Sequence, residues 1–211
     1  VFDEMITGFR WGIWGAGASF GVVPDLMTFG KAIANGFPLA FLAGSREVMQ
    51  LGGIQPAGLE RTFLLSSTHG AETTALAAFM AVWNVYQEKA VIAHFWEYGH
   101  SLRRVFNQIV ESNEVSDFIR IEGPDPLLRI SFDLSSEYAR SAARTLLSQE
   151  LLRYGVLMPY IAPSFSHGHK ELRVVSEALA RSLPTVAHAI RFDDYSELQG
   201  PPTKPVFRRF N

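Results

Sequence analysis

Stretches with the period of a strand alternate with stretches with the period of a helix, which limits the chain to folds that pack helices on a sheet. The apolar run FPLAFLA at 37–43 has strand length and is closed by Gly44-Ser45. Ala75, Phe79, Val82, Trp83 and Tyr86 then share one helical face, and Leu102, Val105, Phe106, Ile109 and Val110 share another. Beyond Gly123-Pro124, Leu128, Ile130 and Phe132 alternate with Arg129, Ser131 and Asp133, the pattern of a half-buried strand. A helix is expected over 138–154, stopped by Gly155, followed by a short strand at Val156-Leu157-Met158. The last helix begins near His169 and runs at least to Leu183, where Pro184 should end or kink it. The expectation is an α/β first part, residues 1–95, and an α+β second part, residues 96–211.

Composition narrows the partners. A hydrophobic share of 47% against 19% charged residues suits a globular chain with a substantial core. With a formal net charge of only -2 there is no electrostatic case for nucleic acid or an acidic membrane surface. Cysteine is absent, so neither disulfide nor thiolate chemistry is available, and a cytoplasmic setting is expected. No apolar run reaches the roughly 18 residues of a membrane helix. Val1-Phe2-Asp3-Glu4 reads as the end of a buried strand rather than a natural start, and the expectation is a fragment of a longer protein.

Several nucleotide, metal and hydrolase signatures fail. Gly15-Ala16-Gly17 begins like a dinucleotide fingerprint, but position 20 is Phe. Gly30-Lys31 could end a phosphate loop, yet Asp25 and Ala32 occupy positions that need Gly and a hydroxyl residue. His167-Gly168-His169 has no third ligand placed to complete a metal site, so no metal is expected. A G-x-S-x-G elbow is also missing.

Two residues survive this screen. Lysine occurs only at positions 31, 89, 170 and 204, and Lys31 alone lies among apolar or small neighbours, MTFGKAIA. Loss of solvation there would disfavour the charged ammonium, and a neutral amine can attack a carbonyl. Asp3 ends a hydrophobic strand, and a carboxylate buried there needs a cationic partner. A pyridinium nitrogen is one such partner; a pair with Arg10 is the other reading of Asp3, and snorkelling from a helix edge the other reading of Lys31. Glu4 alternates to the opposite face and reads as structural.

The segment VFDEMITGFR at 1–10, followed by PDLMTFGKAIANGFP at 24–38, resembles the aspartate and Schiff-base lysine segments of class III aminotransferases, spacing included. The resemblance implies the fold-type I large domain, a mainly parallel sheet with helices, here its C-terminal part, then a smaller α+β domain. It implies pyridoxal 5'-phosphate (PLP) as cofactor, an internal aldimine on Lys31, Asp3 on the pyridine nitrogen and Met5 packed against the ring. Thr68, with Ser67 close behind, would bind the phosphate of the neighbouring subunit, which implies a homodimer with the active site at the subunit interface. At 71–73 the family's Gly-Asn-Pro turn is replaced by Ala-Glu-Thr.

The similarity extends to glutamate-1-semialdehyde aminomutase-like proteins through the tail at 204–208. The mutases carry an entrance loop with a Glu ahead of the segment APSFSH at 162–167, and this chain is shorter there and lacks it. The resemblance therefore implies transfer of an amino group from a small-molecule donor to an aldehyde or keto acceptor. The alternatives are a glutamate-1-semialdehyde-type 2,1-aminomutase and an inactive PLP-fold fragment.

Overall fold

A computed structural model describes residues 1–53, 57–58, 60, 70 and 72–204. The chain divides into two compact units, Val1–Phe95 and Trp96–Asn211.

The first unit holds a three-stranded sheet in the order β1 (Phe2–Asp3), β2 (Leu26–Phe29), β3 (Phe41–Gly44), with a short helix α1 (Ala16–Ser19) between the first two strands. Strands β1 and β2 are parallel, with Phe2 opposite Met27 and Asp3 opposite Thr28. Strand β3 returns antiparallel, with Phe29 opposite Phe41 and Leu26 opposite Gly44. Only the end of the predicted 37–43 strand pairs: Asn35 and Gly36 turn the chain at φ 47° and 112°, and Pro38 has no N–H to give a ladder. The predicted buried strand at the start is an edge strand here, with Phe2 half-buried and Asp3 exposed.

Helices α2 (Arg46–Met49) and α3 (Thr73–Glu88) follow. The face of α3 that bears Phe79, Trp83 and Tyr86 packs on a core of Phe9, Phe29, Ile33 and Ala34. The rings meet edge-on, Phe9 against Tyr86 at 5.5 Å and against Trp83 at 6.2 Å, while Phe29 stacks on Phe41 at 4.9 Å. Edge-to-face contacts of this kind resist sliding, so the cluster fixes β2 and the turn after β1 against α3.

Helix α4 (Val91–Ser112) begins in the first unit and continues into the second, where Leu102, Phe106 and Val110 are buried as their spacing predicts. The second unit pairs β4 (Ile119–Glu122) antiparallel with β5 (Arg129–Phe132) and adds α5 (Glu137–Arg153) and α6 (His169–Phe192). Its core joins Phe106, Ile119, Leu146, Leu151, Leu179 and Leu183. Gly155 stops α5 as expected: at φ 74° it donates to the Leu152 carbonyl, and the Val156 N–H reaches back to the Leu151 carbonyl.

One expectation fails here, and of the two effects expected of Pro184, an end or a kink, the helix does not end. Val156-Leu157-Met158 forms no strand, since no neighbouring strand pairs with it and Pro159 follows; Val156 is buried and Leu157 is exposed. Helix α6 runs through Pro184 to Phe192. Pro184 and Ala180, whose carbonyl loses its helical donor, both face outward, while Ser182, Leu183, Val186 and Ala187 hold the inner face in the core. Burial of that face outweighs the lost bond.

Candidate active site

Parallel strands present their carboxyl ends on one edge, where α/β sheets place their ligands. Asp3 is the last residue of β1 and Lys31 follows the end of adjacent β2 by two residues, so a carboxylate and a primary amine leave the same edge of one parallel pair.

The Asp3 carboxylate is oriented locally. Its Oδ1 accepts the Met5 N–H at 3.0 Å and the Thr28 hydroxyl at 3.4 Å, so a residue of each strand aims it. Among the described residues Oδ2 takes no hydrogen bond, which leaves an acceptor for a protonated ring nitrogen. The alternative partner is engaged elsewhere, for the Arg10 guanidinium lies over the Phe95 ring at 5.3 Å. Met5 turns toward the second strand: a Cβ built on Gly30 would lie 2.8 Å from its Sδ and nearer still to its methyl. Gly30 is thus the residue that lets Met5 reach the segment leading into Lys31.

Lys31 opens a single 3-10 turn, Lys31–Ile33, and adopts φ 52°. A non-glycine residue in this left-handed region costs about 1–3 kcal/mol and persists where its surroundings over-determine it. Ile33 and Ala34 supply that determination, both 1% exposed within the aromatic core. Buried neighbours anchor the turn while Lys31 itself points out.

The burial expected of the pair is not met within this chain, since both Asp3 and Lys31 are exposed. The apolar residues next to Lys31 in sequence, Phe29 and Ile33, turn into the core behind it rather than around its amine. Desolvation at this edge therefore has to come from groups other than these neighbours. Ser67 and Thr68, the candidates for a phosphate, lie outside the described residues.

Glu4 holds more than sequence indicated. It is 2% exposed, and its carboxylate accepts the N–H groups of Ala16 at 2.9 Å and Gly17 at 3.0 Å together with the Thr7 hydroxyl. Nearby, Tyr86 donates to the Phe9 carbonyl at 2.6 Å. Burial pushes the Tyr86 phenol above its ordinary value, and the Arg10 guanidinium offsets part of that rise. In the second unit the His167 imidazole closes a turn. Its Nδ1 accepts the Ser164 N–H at 3.3 Å and its ring packs on Tyr98 at 5.6 Å.

A primary amine and a directed carboxylate on one sheet edge, with the Met5 thioether beside the segment leading into Lys31, are compatible with a pyridoxal ring. Comparison with known proteins gives the same direction. The chain is 29% identical to glutamate-1-semialdehyde 2,1-aminomutase of Ignicoccus hospitalis, over 89% of this chain and 45% of that protein. It is also 29% identical to 3-aminobutyryl-CoA aminotransferase of Cloacimonas acidaminovorans, over 88% of this chain and 44% of that protein. The chain thus spans less than half the length of these curated relatives. The PLP internal aldimine form of FumI from Sphingopyxis sp. MTA144 superposes with a TM-score of 0.77 at 20% identity, over 90% of this chain and 43% of that one, which establishes the fold. The family model described as aminotransferase class-III matches residues 1–189, and the chain belongs to that family.

Proposed function

We propose that the protein is a PLP-dependent aminotransferase that moves an amino group from a small-molecule amino donor to an aldehyde or keto acceptor. The observation that carries this reading is the shared edge of β1 and β2, from which Asp3 and Lys31 both project. Pyridoxal phosphate, when bound, supplies an electron sink conjugated to the carbon that loses its proton.

The chain's own residues do the rest. Lys31 would hold the cofactor through its amine; once displaced by a donor amine, the freed Lys31 amine would carry the proton from the substrate carbon to the cofactor C4′, and in the acceptor half from C4′ to the acceptor carbon. Asp3, aimed by Met5 N–H and the Thr28 hydroxyl, keeps the proton on the ring nitrogen. Met5 packs against the ring, and Thr68 or Ser67 binds the phosphate of the neighbouring subunit. A homodimer follows from that last role. Two exposed apolar side chains one turn apart on α3, Leu76 and Met80, support it.

A glutamate-1-semialdehyde-type 2,1-aminomutase is the second reading, favoured by the relatives of that name. The two separate in one assay on the full-length holoprotein. With an amino donor alone, a transaminase stops after one equivalent of product and resumes when a keto or aldehyde acceptor is added. Repeated turnover of a single amino aldehyde without acceptor would establish the mutase, and no transfer with any donor and acceptor pair would refute both.

A further inference from the structure

Glu4, Glu150 and Ser182 are the buried polar residues among those described, and Glu4 alone adjoins the candidate site. A carboxylate withdrawn from water is retained only where several donors replace its hydration. Three do so here: the Ala16 N–H and the Thr7 hydroxyl on Oε2, and the Gly17 N–H on Oε1. Its backbone is held as well, with the Glu4 N–H donating to the Thr28 carbonyl at 3.0 Å and its own carbonyl accepting the Gly8 N–H at 2.9 Å.

We propose that Glu4 is a positioning residue for the cofactor edge, fixing through one peptide group the direction of the Asp3 carboxylate and the placement of Met5. The proposal rests on the reading of Asp3 and Lys31 given above. The Glu4–Met5 peptide carries the N–H that Asp3 accepts, and Met5 is the side chain seated on Gly30. Because Glu4 is tied at both ends of its side chain and backbone, that peptide cannot rotate without breaking buried hydrogen bonds. Asp3, exposed and held by two bonds, has no such anchorage of its own. Gly15 leaves the space that this requires. At φ 78° it lies against the Glu4 carboxylate, and a Cβ there would come within 2.6 Å of Oε1.

The test uses the full-length holoprotein and follows the pH midpoint of the bound cofactor's visible band. Glu4→Gln keeps the shape but sets an amide N–H against a backbone N–H. Gly15→Ala displaces the carboxylate without altering its charge, and Thr7→Val removes one donor while both backbone bonds remain. A ring nitrogen that loses its aligned carboxylate loses its proton, and the nitrogen linked to Lys31 then keeps its own proton more tightly. Glu4→Gln and Gly15→Ala should therefore raise the midpoint by about 1 unit, with Thr7→Val moving less and Asp3→Asn more. Cofactor dissociation constants should rise about tenfold, in the same order. A merely structural role would lower the melting temperature and leave the midpoint in place. A wild-type midpoint in Thr7→Val and in every other folded variant of this set except Asp3→Asn would overturn the proposal. A wild-type protein without a visible cofactor band would overturn the underlying reading instead.

Discussion

The Met5 thioether rests on Gly30, so the strand that carries Asp3 and the segment that leads into Lys31 touch through one flexible side chain and one missing Cβ. Gly30→Ala should displace the Met5 methyl at a cost below about 1 kcal/mol in urea unfolding, because the far end of a Met yields easily. Cofactor retention should fall several-fold. Adding Met5→Ala to Gly30→Ala should cost less than Met5→Ala alone, and independent effects in the double-mutant cycle would show that the contact carries nothing.

Tyr86→Phe removes the hydroxyl that bonds the Phe9 carbonyl and should destabilise the first unit by about 1–3 kcal/mol, since the carbonyl is left without its donor. Tyr86, Tyr98 and Tyr195 are all raised by burial above the ordinary tyrosine value of 10.0. Above that value the unfolded chain has released protons that the folded chain still holds, so stability falls as pH rises from 10 toward the folded values. Thermal melts should decline across that window, and Tyr86→Phe should flatten part of the slope.

Arg103 ties α4 to the turn after β4, donating to Asp125 at 2.7 Å and to the Ile121 carbonyl at 3.0 Å, with Gly123 as a third acceptor. A lysine cannot span three acceptors with one ammonium. Arg103→Lys should destabilise the second unit by about 1–3 kcal/mol, read by chemical denaturation.

Glu171 accepts the Gly168 N–H at 2.8 Å at the start of α6, and that bond holds its carboxyl below the usual carboxylate range. A lowered folded value gives stability that is present above the unfolded value of 4.5 and lost as pH falls through the folded one. Glu171→Ala should weaken the protein at neutral pH and reduce the acid-induced loss, whereas equal acid sensitivity of the two proteins would exclude the cap as its source.

The two candidate residues stood out in the sequence more readily than the strands that carry them. Asp3 and Lys31 stand out because each is a charge in an apolar run, and the parallel pairing of β1 with β2 puts them on one edge. Helix faces such as Phe79 with Trp83 were readable because a 3.6-residue period repeats over many turns. Strand β4 has Ile119 and Ile121 inward, but four residues give too little of a period to stand out without β5 beside it. Val156 misled for the opposite reason: local propensity was clear, and tertiary context decided otherwise, as it did in carrying α6 past Pro184. Glu4 read as structural from its alternation alone, and its donors at Ala16 and Gly17 open α1, a helix of four residues that is too short for a periodic pattern to announce.

The central claim is that the Lys31 amine holds the cofactor. The full-length protein, loaded with PLP and treated with borohydride, should yield a peptide in which Lys31 carries the reduced cofactor adduct. An unmodified Lys31 peptide, with the adduct on Lys89, Lys170 or Lys204 or on no residue, would contradict the account.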